Sequence, residues 1–264
     1  MLRKALAAAL LLLASSTALA DAALDLALRN YAHNRVLDSR SEITMTLSGK
    51  SGKERVRKLS ATTKLKAEGG DNMRLLRFHF PADVSGTTTL LIENSGRDDD
   101  LWIYLPALKK VRRLVSENKR DSFVGSDLSF GDILGHKPSD WTFKLIGEAS
   151  LDGVATTQLE ALPATPLIAR NTGYSKRLLW IAPDSAVSLR VDYYDEAGQL
   201  LKTVTASDIQ TVDSARHLSQ FMRIEASNVQ SGQRTVMQFE HFKANVGVTA
   251  ELFSPLAIAL SGDE

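Results

Sequence analysis

The chain contains no cysteine among its 264 residues, and this absence limits both its chemistry and its means of stabilisation. It excludes disulfide bridges, thiol nucleophiles and cysteine-ligated metals. It also leads us to expect no acyl anchor on an N-terminal cysteine. A chain of this length can bury a substantial core without covalent cross-links, so we expect its stability to come from packing.

The common catalytic motifs are missing as well. The chain has no G-x-S-x-G, no H-E-x-x-H, no phosphate-binding loop and no G-x-G-x-x-G before a helix. Its five histidines have no metal-ligand spacing from one another, and the carboxylates of residues 97–100 do not match a calcium-binding loop. We therefore predict that the protein is not an enzyme and has no catalytic residue, metal or cofactor. The alternative, an enzyme acting on lipids or glycans, would need a convergent polar cluster in a cavity.

Neither sign of charge is in excess, because 32 lysines and arginines stand against 31 aspartates and glutamates, a net charge of +1. Nucleic-acid-binding domains are usually strongly basic, so this balance predicts no nucleic-acid partner.

Long apolar runs are scarce too. The run at residues 5–14 is too short for a bilayer core, which needs about 20 residues. No later stretch is longer or more apolar, so we predict no transmembrane segment in residues 21–264.

The first twenty residues have the order of a secretory signal peptide. Arg3 and Lys4 form a short basic region, the apolar run follows, and a small-x-small triplet occupies residues 18–20. We predict a signal peptide over residues 1–20, cleaved after Ala20, so that residues 21–264 are exported from the cytoplasm. The alternative is an uncleaved anchor.

After a predicted helix from Asp21 to Ser41, the apolar residues change from helical spacing to alternation. Alternating segments bounded by glycine- and aspartate-rich turns recur as far as Lys243 and predict about eleven strands. Their short connections favour an antiparallel meander, because parallel pairs need crossovers of about a dozen residues. Two further segments, Ser116–Ser139 and Thr249–Leu260, interrupt the meander as short helical turns and loop. The chain has no repeat and no linker, so one domain over residues 21–264 is the simplest account.

Several predicted strands are apolar on both faces, which a single sheet in water cannot sustain. Residues 101–105 read Leu-Trp-Ile-Tyr-Leu, and residues 178–181 read Leu-Leu-Trp-Ile. Such a sheet must be covered by helices, closed into a barrel or reserved for a ligand, and only three helical segments are available. We therefore predict a large curved sheet whose incompletely filled interior binds apolar ligands. An ordinary packed core is the alternative.

One predicted strand carries a cluster of basic residues, which we call the basic strand: Lys109, Lys110, Arg112 and Arg113. Such a cluster suits an anionic lipid headgroup or the acidic surface of a partner. A charged strand that simply faces solvent is the alternative.

The most distinctive sequence lies between Asp100 and Asp132. Residues 100–114 read Asp-Leu-Trp-Ile-Tyr-Leu-Pro-Ala-Leu-Lys-Lys-Val-Arg-Arg-Leu, and residues 122–132 read Ser-Phe-Val-Gly-Ser-Asp-Leu-Ser-Phe-Gly-Asp. This sequence resembles the outer-membrane lipoprotein-sorting proteins, a family of LolA-like periplasmic carriers. The family has Tyr where this chain has Phe130, and Phe where it has Leu128. The early helix, the meander and a late Asn-Val-Gly-Val stretch extend the resemblance over most of residues 21–264.

The resemblance implies a mainly β fold with a few helices, a strongly curved antiparallel half-barrel with a helical lid. It implies a periplasmic carrier that binds the acyl chains of a lipoprotein or lipid and passes them toward the outer membrane, with an RND-type inner-membrane transporter as partner. The candidate cavity and lid residues are Leu90, Ile92, Trp102, Tyr104, Phe123, Leu128, Phe130, Ile133 and Leu134. Asp127 and Asp132 are expected to cap turns or helices.

A second function is open on the same scaffold. The protein would be a periplasmic sensor or interaction protein that binds a membrane-protein partner, and the basic strand would be its contact site. In either case we expect a monomer.

Overall fold

The structure, a computed structural model, describes residues 19–260. The predicted signal peptide therefore lies almost entirely outside the described residues. Helix α1 covers residues 19–32, and the later helices are α2 (Phe130–Leu134), α3 (Pro166–Thr172) and α4 (Pro255–Leu260). None of the helices in the described range has the length and hydropathy needed to cross a membrane.

Thirteen strands form a single sheet. The first six are β1 (Asp38–Ser48), β2 (Glu54–Leu65), β3 (Asn72–Phe80), β4 (Thr88–Ile92), β5 (Asp100–Leu105) and β6 (Lys110–Leu114). The other seven are β7 (Trp141–Leu151), β8 (Val154–Pro163), β9 (Lys176–Ile181), β10 (Ser188–Tyr194), β11 (Leu200–Asp213), β12 (Leu218–Asn228) and β13 (Arg234–Ala244).

The sheet consists of two antiparallel meanders joined in the middle. Strands β1 to β6 pair in chain order, strands β7 to β13 do the same, and β1 pairs with β13, with Met45 opposite Met237. The result is one curved, open sheet with β6 and β7 at its edges, which confirms the predicted fold class. The sheet has thirteen strands, slightly more than the eleven or so predicted.

Helix α1 ends earlier than the sequence predicted, at residue 32 rather than Ser41. Arg35 accounts for the difference. Its Nε donates to the carbonyl oxygen of Tyr31, and its backbone N–H donates to that of Ala32. These bonds satisfy carbonyl groups that the end of a helix leaves unpaired. The chain is therefore free to enter β1 at Asp38.

The connection between the two edge strands, residues 115–140, lies against the sheet, and we call it the lid segment. Its apolar side chains join one buried cluster with strands β1 to β3. Phe123 is central to this cluster, since its ring centroid lies 5.8 Å from that of Phe78 and 5.5 Å from that of Phe130. Ser129 and Asp132 form a capping box at the start of α2, in which each side chain accepts a hydrogen bond from the other's backbone N–H.

The two faces of the sheet are covered by different parts of the chain. The inner face carries the lid segment and also α1, whose Leu26 and Ala27 pack into a cluster with residues of β8 and β9. The outer face carries the C-terminal segment, residues 246–260. Its Val248, Phe253 and Ile258 pack against a third cluster on strands β3 to β5.

A candidate binding cavity on the inner face

A cavity of about 280 Å³ lies on the inner face, between α1, the lid segment and the sheet. Its walls come from both meanders, so no single hairpin could form it. Much of its lining is apolar, including Ala27, Ile133, Phe143, Leu159, Leu179 and Phe239. The cavity is therefore a space between a curved sheet and its cover, lined by both apolar and polar side chains.

The first polar group at the cavity is a buried ion pair between Arg35 and Glu93. Arg35 Nη2 lies 2.7 Å and 3.0 Å from the two carboxylate oxygens of Glu93, and the Glu93 side chain is fully buried. The same carboxylate accepts hydrogen bonds from the Tyr31 hydroxyl at 3.2 Å and from the backbone N–H of Asn72 at 2.8 Å. This group fixes the end of α1 to the strands beneath it.

The second polar group is centred on Asp132 of the lid segment. Its carboxylate accepts hydrogen bonds from Lys202 Nζ at 2.5 Å, from the Tyr174 hydroxyl at 3.0 Å and from His136 Nε2 at 3.2 Å. Burial raises the pKa of the Tyr174 hydroxyl well above its usual value, so this group stays protonated and donates. The arrangement ties α2 to β11 and to the start of β9.

The pKa values within this Asp132 group fix which of its members are charged. Burial alone would raise the pKa of Asp132, but the Lys202 ammonium and the His136 hydrogen bond outweigh it and hold the pKa far below its usual range. Burial, followed by the charge of Arg177, lowers the pKa of His136 to about 4. At neutral pH His136 is therefore neutral, and it donates from Nε2 to a charged carboxylate.

The Asp132 group is the kind of convergent polar cluster that the enzyme alternative requires. In the structure its members satisfy one another, and Asp132 also accepts from the backbone N–H of Ser129. The arrangement can hold the lid segment against the sheet. Residues 19–260 contain no group of three or more histidines and acidic residues able to hold a metal ion.

Two arginines at the cavity differ from the groups above because neither belongs to an ion pair found in residues 19–260. Arg74 lines it from β3 and Arg177 from β9. The Nε atom of each is buried and has no hydrogen-bond partner. Arg177 is 6% exposed, and its guanidinium carbon lies 3.9 Å from the centre of the Trp141 ring. Burial lowers the pKa of both guanidinium groups, yet neither loses its charge near neutral pH.

The structure brings together the five predicted lid residues. Phe123, Leu128, Phe130 and Leu134 are buried against the inner face, and Ile133 packs beside them. Of these five, Ile133 lines the cavity itself, while the other four fill the space between the lid segment and the central strands. Their part in binding a ligand stays a prediction.

The four predicted strand residues lie elsewhere. Leu90, Ile92, Trp102 and Tyr104 face the C-terminal segment on the outer side of the sheet. Their neighbours Leu91 and Leu101 face the lid segment instead. Adjacent strand residues point to opposite faces, and when both faces are apolar the sequence does not show which set points inward. These four residues therefore belong to the outer cluster and not to the cavity lining.

The basic strand lies at the exposed edge of the sheet. Lys110, Arg112 and Arg113 are exposed on β6, and Lys109 precedes it in a left-handed conformation at the end of a short 3₁₀ turn. Arg113 pairs with Asp100 at 2.7 Å and lies over the Trp102 ring. The basic strand is thus remote from the inner cavity.

The candidates predicted from the sequence did not include several polar residues that line the cavity, among them Tyr31, Arg35, Arg74, His136 and Arg177. One signal was available for Arg177, because it alternates with Leu179 and Ile181, which are both buried. A charged residue in phase with buried apolar ones indicates an inward position. Arg74 stands in the same relation to Leu76 and Phe78.

The comparisons with known proteins agree with this fold. A family model described as an uncharacterized protein matches residues 70–259. None of the curated proteins compared with the chain matches it. Among solved structures, a DUF1329 family protein from Desulfovibrio piger is 31% identical, with a TM-score of 0.84 over 91% of this chain and 99% of that one.

Two further solved structures extend the likeness. An outer membrane lipoprotein-sorting protein domain from Vibrio parahaemolyticus is 26% identical, with a TM-score of 0.83 over 91% of this chain and 99% of that one. A LolA superfamily protein from Nitrosomonas europaea is 18% identical, with a TM-score of 0.68 over 88% and 97% of the two chains, and it shows the fold alone. The resemblance found in the sequence is thereby confirmed, and the chain belongs to the DUF1329 family.

Proposed function

We propose that this protein is a periplasmic carrier that binds the acyl chains of a lipoprotein or a lipid in the inner cavity and passes them toward the outer membrane. The observation that carries this proposal is the cavity itself, a space of about 280 Å³ enclosed by a curved sheet, α1 and the lid segment. Its volume is near the lower end of ligand pockets, which run from about 300 to 1,000 Å³. The name of the Vibrio parahaemolyticus relative, a lipoprotein-sorting protein, supports the same function.

The mechanism would be passive. An acyl chain enters when the lid segment shifts, and it leaves when a partner binds it more tightly. Each buried CH₂ group contributes about 0.8 kcal/mol, so one chain of ordinary length gives a usable affinity. Entry has to work against the contacts that hold the lid segment, chiefly Asp132 with Lys202 and Asp127 with Thr235. The partner that the resemblance implies is an RND-type inner-membrane transporter.

The direct test is to purify the exported protein and identify any co-purified lipid by mass spectrometry, together with titration of a fluorescent fatty acid. We expect lipid in the purified protein and saturable binding of the probe. If the purified protein contains no lipid and the probe does not bind, the proposal is contradicted.

A cavity-filling variant locates the binding site. Ala27 lines the cavity from α1, so Ala27→Phe places a ring in the space that an acyl chain would occupy. We expect probe binding to weaken at least about tenfold, with a modest stability cost of about 1–3 kcal/mol for the added bulk. Ala155 lies exposed on β8, so Ala155→Phe is the matched control and should bind the probe like the natural protein.

One observation favours a second candidate function, a sensor or interaction protein that binds a membrane-protein partner. The basic strand occupies an exposed sheet edge, and unpaired edge strands readily accept a partner. The test reverses the charges of Lys110 and Arg112 to glutamate and measures both transporter capture and lipid binding. Loss of capture with intact lipid binding would favour this function, whereas unchanged capture would argue against it.

A further inference from the structure

Arg74 and Arg177 bring positive charge to a cavity whose lining also includes many apolar side chains. Arg177 is on β9, in phase with the buried Leu179 and Ile181, and Arg74 is in phase with the buried Leu76 on β3. Both side chains line the cavity, from strands that belong to different meanders. The charge is therefore inside the binding space and not on its outer rim.

Two consecutive residues of the lid segment, Gly135 and His136, lie near Arg74 and near the Trp141–Arg177 stack, respectively. A Cβ atom added to Gly135 would lie 3.8 Å from Arg74 Nη2, so the backbone of the lid segment passes close to that guanidinium. His136 follows directly, and its ring lies 5.5 Å from Trp141, the ring on which Arg177 stacks at 3.9 Å. Arg74, Gly135, His136 and Arg177 all line the cavity, so the lid segment runs along the part of the wall that carries both arginines.

The charge on these arginines is not balanced by the protein in residues 19–260. Each has a buried Nε without a hydrogen-bond partner, and neither belongs to the ion pairs found in that range. Arg35 is a useful contrast, because its guanidinium bonds to Glu93, Gly70 and Tyr31. Arg177 is more than nine-tenths buried and has only uncharged groups in contact with it, the Trp141 ring and the hydroxyl of Tyr193.

The acidic groups nearby are already engaged. Glu93 binds Arg35, and Asp132 binds Lys202, which leaves the charges of Arg74 and Arg177 in excess. Asp99 is engaged as well, because it pairs with both Lys119 and Lys137.

Asp140 is the remaining acidic residue near Arg177, and it does not change the excess of positive charge. Burial raises its pKa, and the charges of Lys137 and Lys119 act on it more strongly than that of Arg177 does. Asp99, Asp140 and the two lysines together are close to neutral. The excess of two positive charges inside the cavity therefore stands.

A buried charge without a counter-charge is costly, and it is kept where a ligand supplies the missing partner. The planar guanidinium donates several N–H groups in a geometry that matches a carboxylate or a phosphate. The rest of the lining, with Phe143, Leu159 and Phe239, suits an alkyl chain. An anionic head on an apolar tail would satisfy both parts of the cavity.

We propose that the cavity selects anionic amphiphiles, with a carboxylate or phosphate headgroup held by Arg74 or Arg177 and the alkyl chain along the apolar part of the lining. This inference rests on the proposed carrier function and adds to it the chemical class of the cargo. Fatty acids and phospholipids share this chemistry, and the experiment below distinguishes them.

The experiment compares three ligands with the same ten-carbon chain and different heads: decanoate, decyl phosphate and decan-1-ol. Each is titrated into delipidated protein at pH 7.5, below its micelle concentration, to displace the neutral probe N-phenyl-1-naphthylamine. We expect at least one anionic ligand to displace the probe at a concentration lower by about tenfold or more than decan-1-ol, because a charge-assisted pair replaces an unpaired buried charge. Preference for decanoate would point to fatty acids, and preference for decyl phosphate to phospholipids.

Two variants tie the selectivity to the arginines. Arg177→Met keeps the length and apolar stem, and we expect it to bind decan-1-ol as before but to lose the preference for the anionic ligands. Arg190→Met is the matched control, because Arg190 also stacks on a tryptophan, Trp180, but is paired with Asp192 and lies outside the cavity. It should keep the preference. Since Arg177 lacks a counter-charge, its replacement should leave the melting temperature of the delipidated protein unchanged or higher.

The outcomes separate this inference from the carrier function. Equal affinity of the natural protein for all three ligands would overturn the headgroup selectivity and leave the carrier function intact. If none of the three ligands displaces the bound probe, or if the probe does not bind at all, the carrier function itself would be contradicted. Retention of the anionic preference in both Arg177→Met and Arg74→Met would also overturn the assignment to these residues.

Discussion

Asp132 has more polar partners than any other side chain of the lid segment, and its environment illustrates how a buried charge is tolerated. Lys202, Tyr174, His136 and the backbone of Ser129 all donate to its carboxylate. Taking such a charge out of water costs free energy that only a nearly complete set of partners can offset. The same reasoning makes each partner sensitive to loss of the carboxylate.

The first prediction concerns this carboxylate. Asp132→Asn removes the charge that Lys202 faces and leaves a buried ammonium without a counter-ion, so we expect the free energy of unfolding to fall by about 3–5 kcal/mol. Urea denaturation measures the change. Asp121→Asn, at an exposed position of the same segment, is the control and should cost less than about 0.5 kcal/mol. Equal losses in the two variants would contradict the proposed importance of the buried pair.

The second prediction concerns pH and follows from His136. Its folded-state pKa of about 4 lies below the ordinary value of 6.5. Between these values the unfolded chain binds a proton that the folded chain does not, so stability is highest above pH 6.5 and falls as the pH drops toward 4. The loss from this residue is on the order of 3 kcal/mol.

Urea denaturation at several pH values from 4 to 7 tests the effect of His136. His136→Gln cannot titrate, so its stability should depend less steeply on pH over this range. Some dependence should remain, because burial also lowers the pKa of His33. An unchanged slope in His136→Gln would show that the titration lies elsewhere.

At the scale of elements, the C-terminal segment is a cover for one face of the sheet, and its contribution rests on few side chains. Phe253 and Ile258 are buried against the strands, whereas Leu256 and Leu260 are exposed. This segment explains how residues 101–105 can be apolar on both faces, since the lid segment covers one side and the C-terminal segment the other.

The third prediction tests this cover. Phe253→Ala leaves a cavity under the C-terminal segment, and we expect a loss of about 3–5 kcal/mol in the free energy of unfolding. Leu256→Ala removes an apolar side chain of the same segment that is 68% exposed, and it should change stability by less than about 0.5 kcal/mol. If Phe253→Ala were as mild as this control, the segment would not act as a packed cover.

At the scale of the whole molecule, the pairing of β1 with β13 decides the architecture. It joins the first and last strands of the chain and makes one sheet from two meanders. The lid segment then has to connect the far edges, which draws it across the inner face. The cavity exists because this cover and α1 do not fill all of the space beneath them.

The fourth prediction tests the single domain proposed from the sequence. Trp102 lies in the first meander, and Trp141 and Trp180 lie in the second, so variants that retain only Trp102 or only Trp180, with Trp141 replaced in both, report on the two halves separately. We expect both reporters to show the same urea midpoint, because a shared sheet should unfold as one unit. Two separate midpoints would indicate two domains.

Much of the fold could be predicted from the sequence because it is encoded locally. Alternation, turn residues and the stretch at residues 100–132 identified the strands, the antiparallel meander and the family resemblance. The lid residues were identified for the same reason, since Phe123 and Phe130 are part of a distinctive local pattern. The strand candidates Leu90 and Trp102 fall on the outer face because a doubly apolar strand leaves its orientation open.

The sequence by itself determined the absence of thiol chemistry, the near balance of charge, the strand periodicity and the family. Only the tertiary structure decided that β1 meets β13, which residues face inward, and that the Nε atoms of Arg74 and Arg177 lie buried without a hydrogen-bond partner at one cavity. The physical reason is that periodicity and turns are short-range properties of the chain. The balance of charge in a cavity depends on residues more than a hundred positions apart, which only the folded sheet brings together.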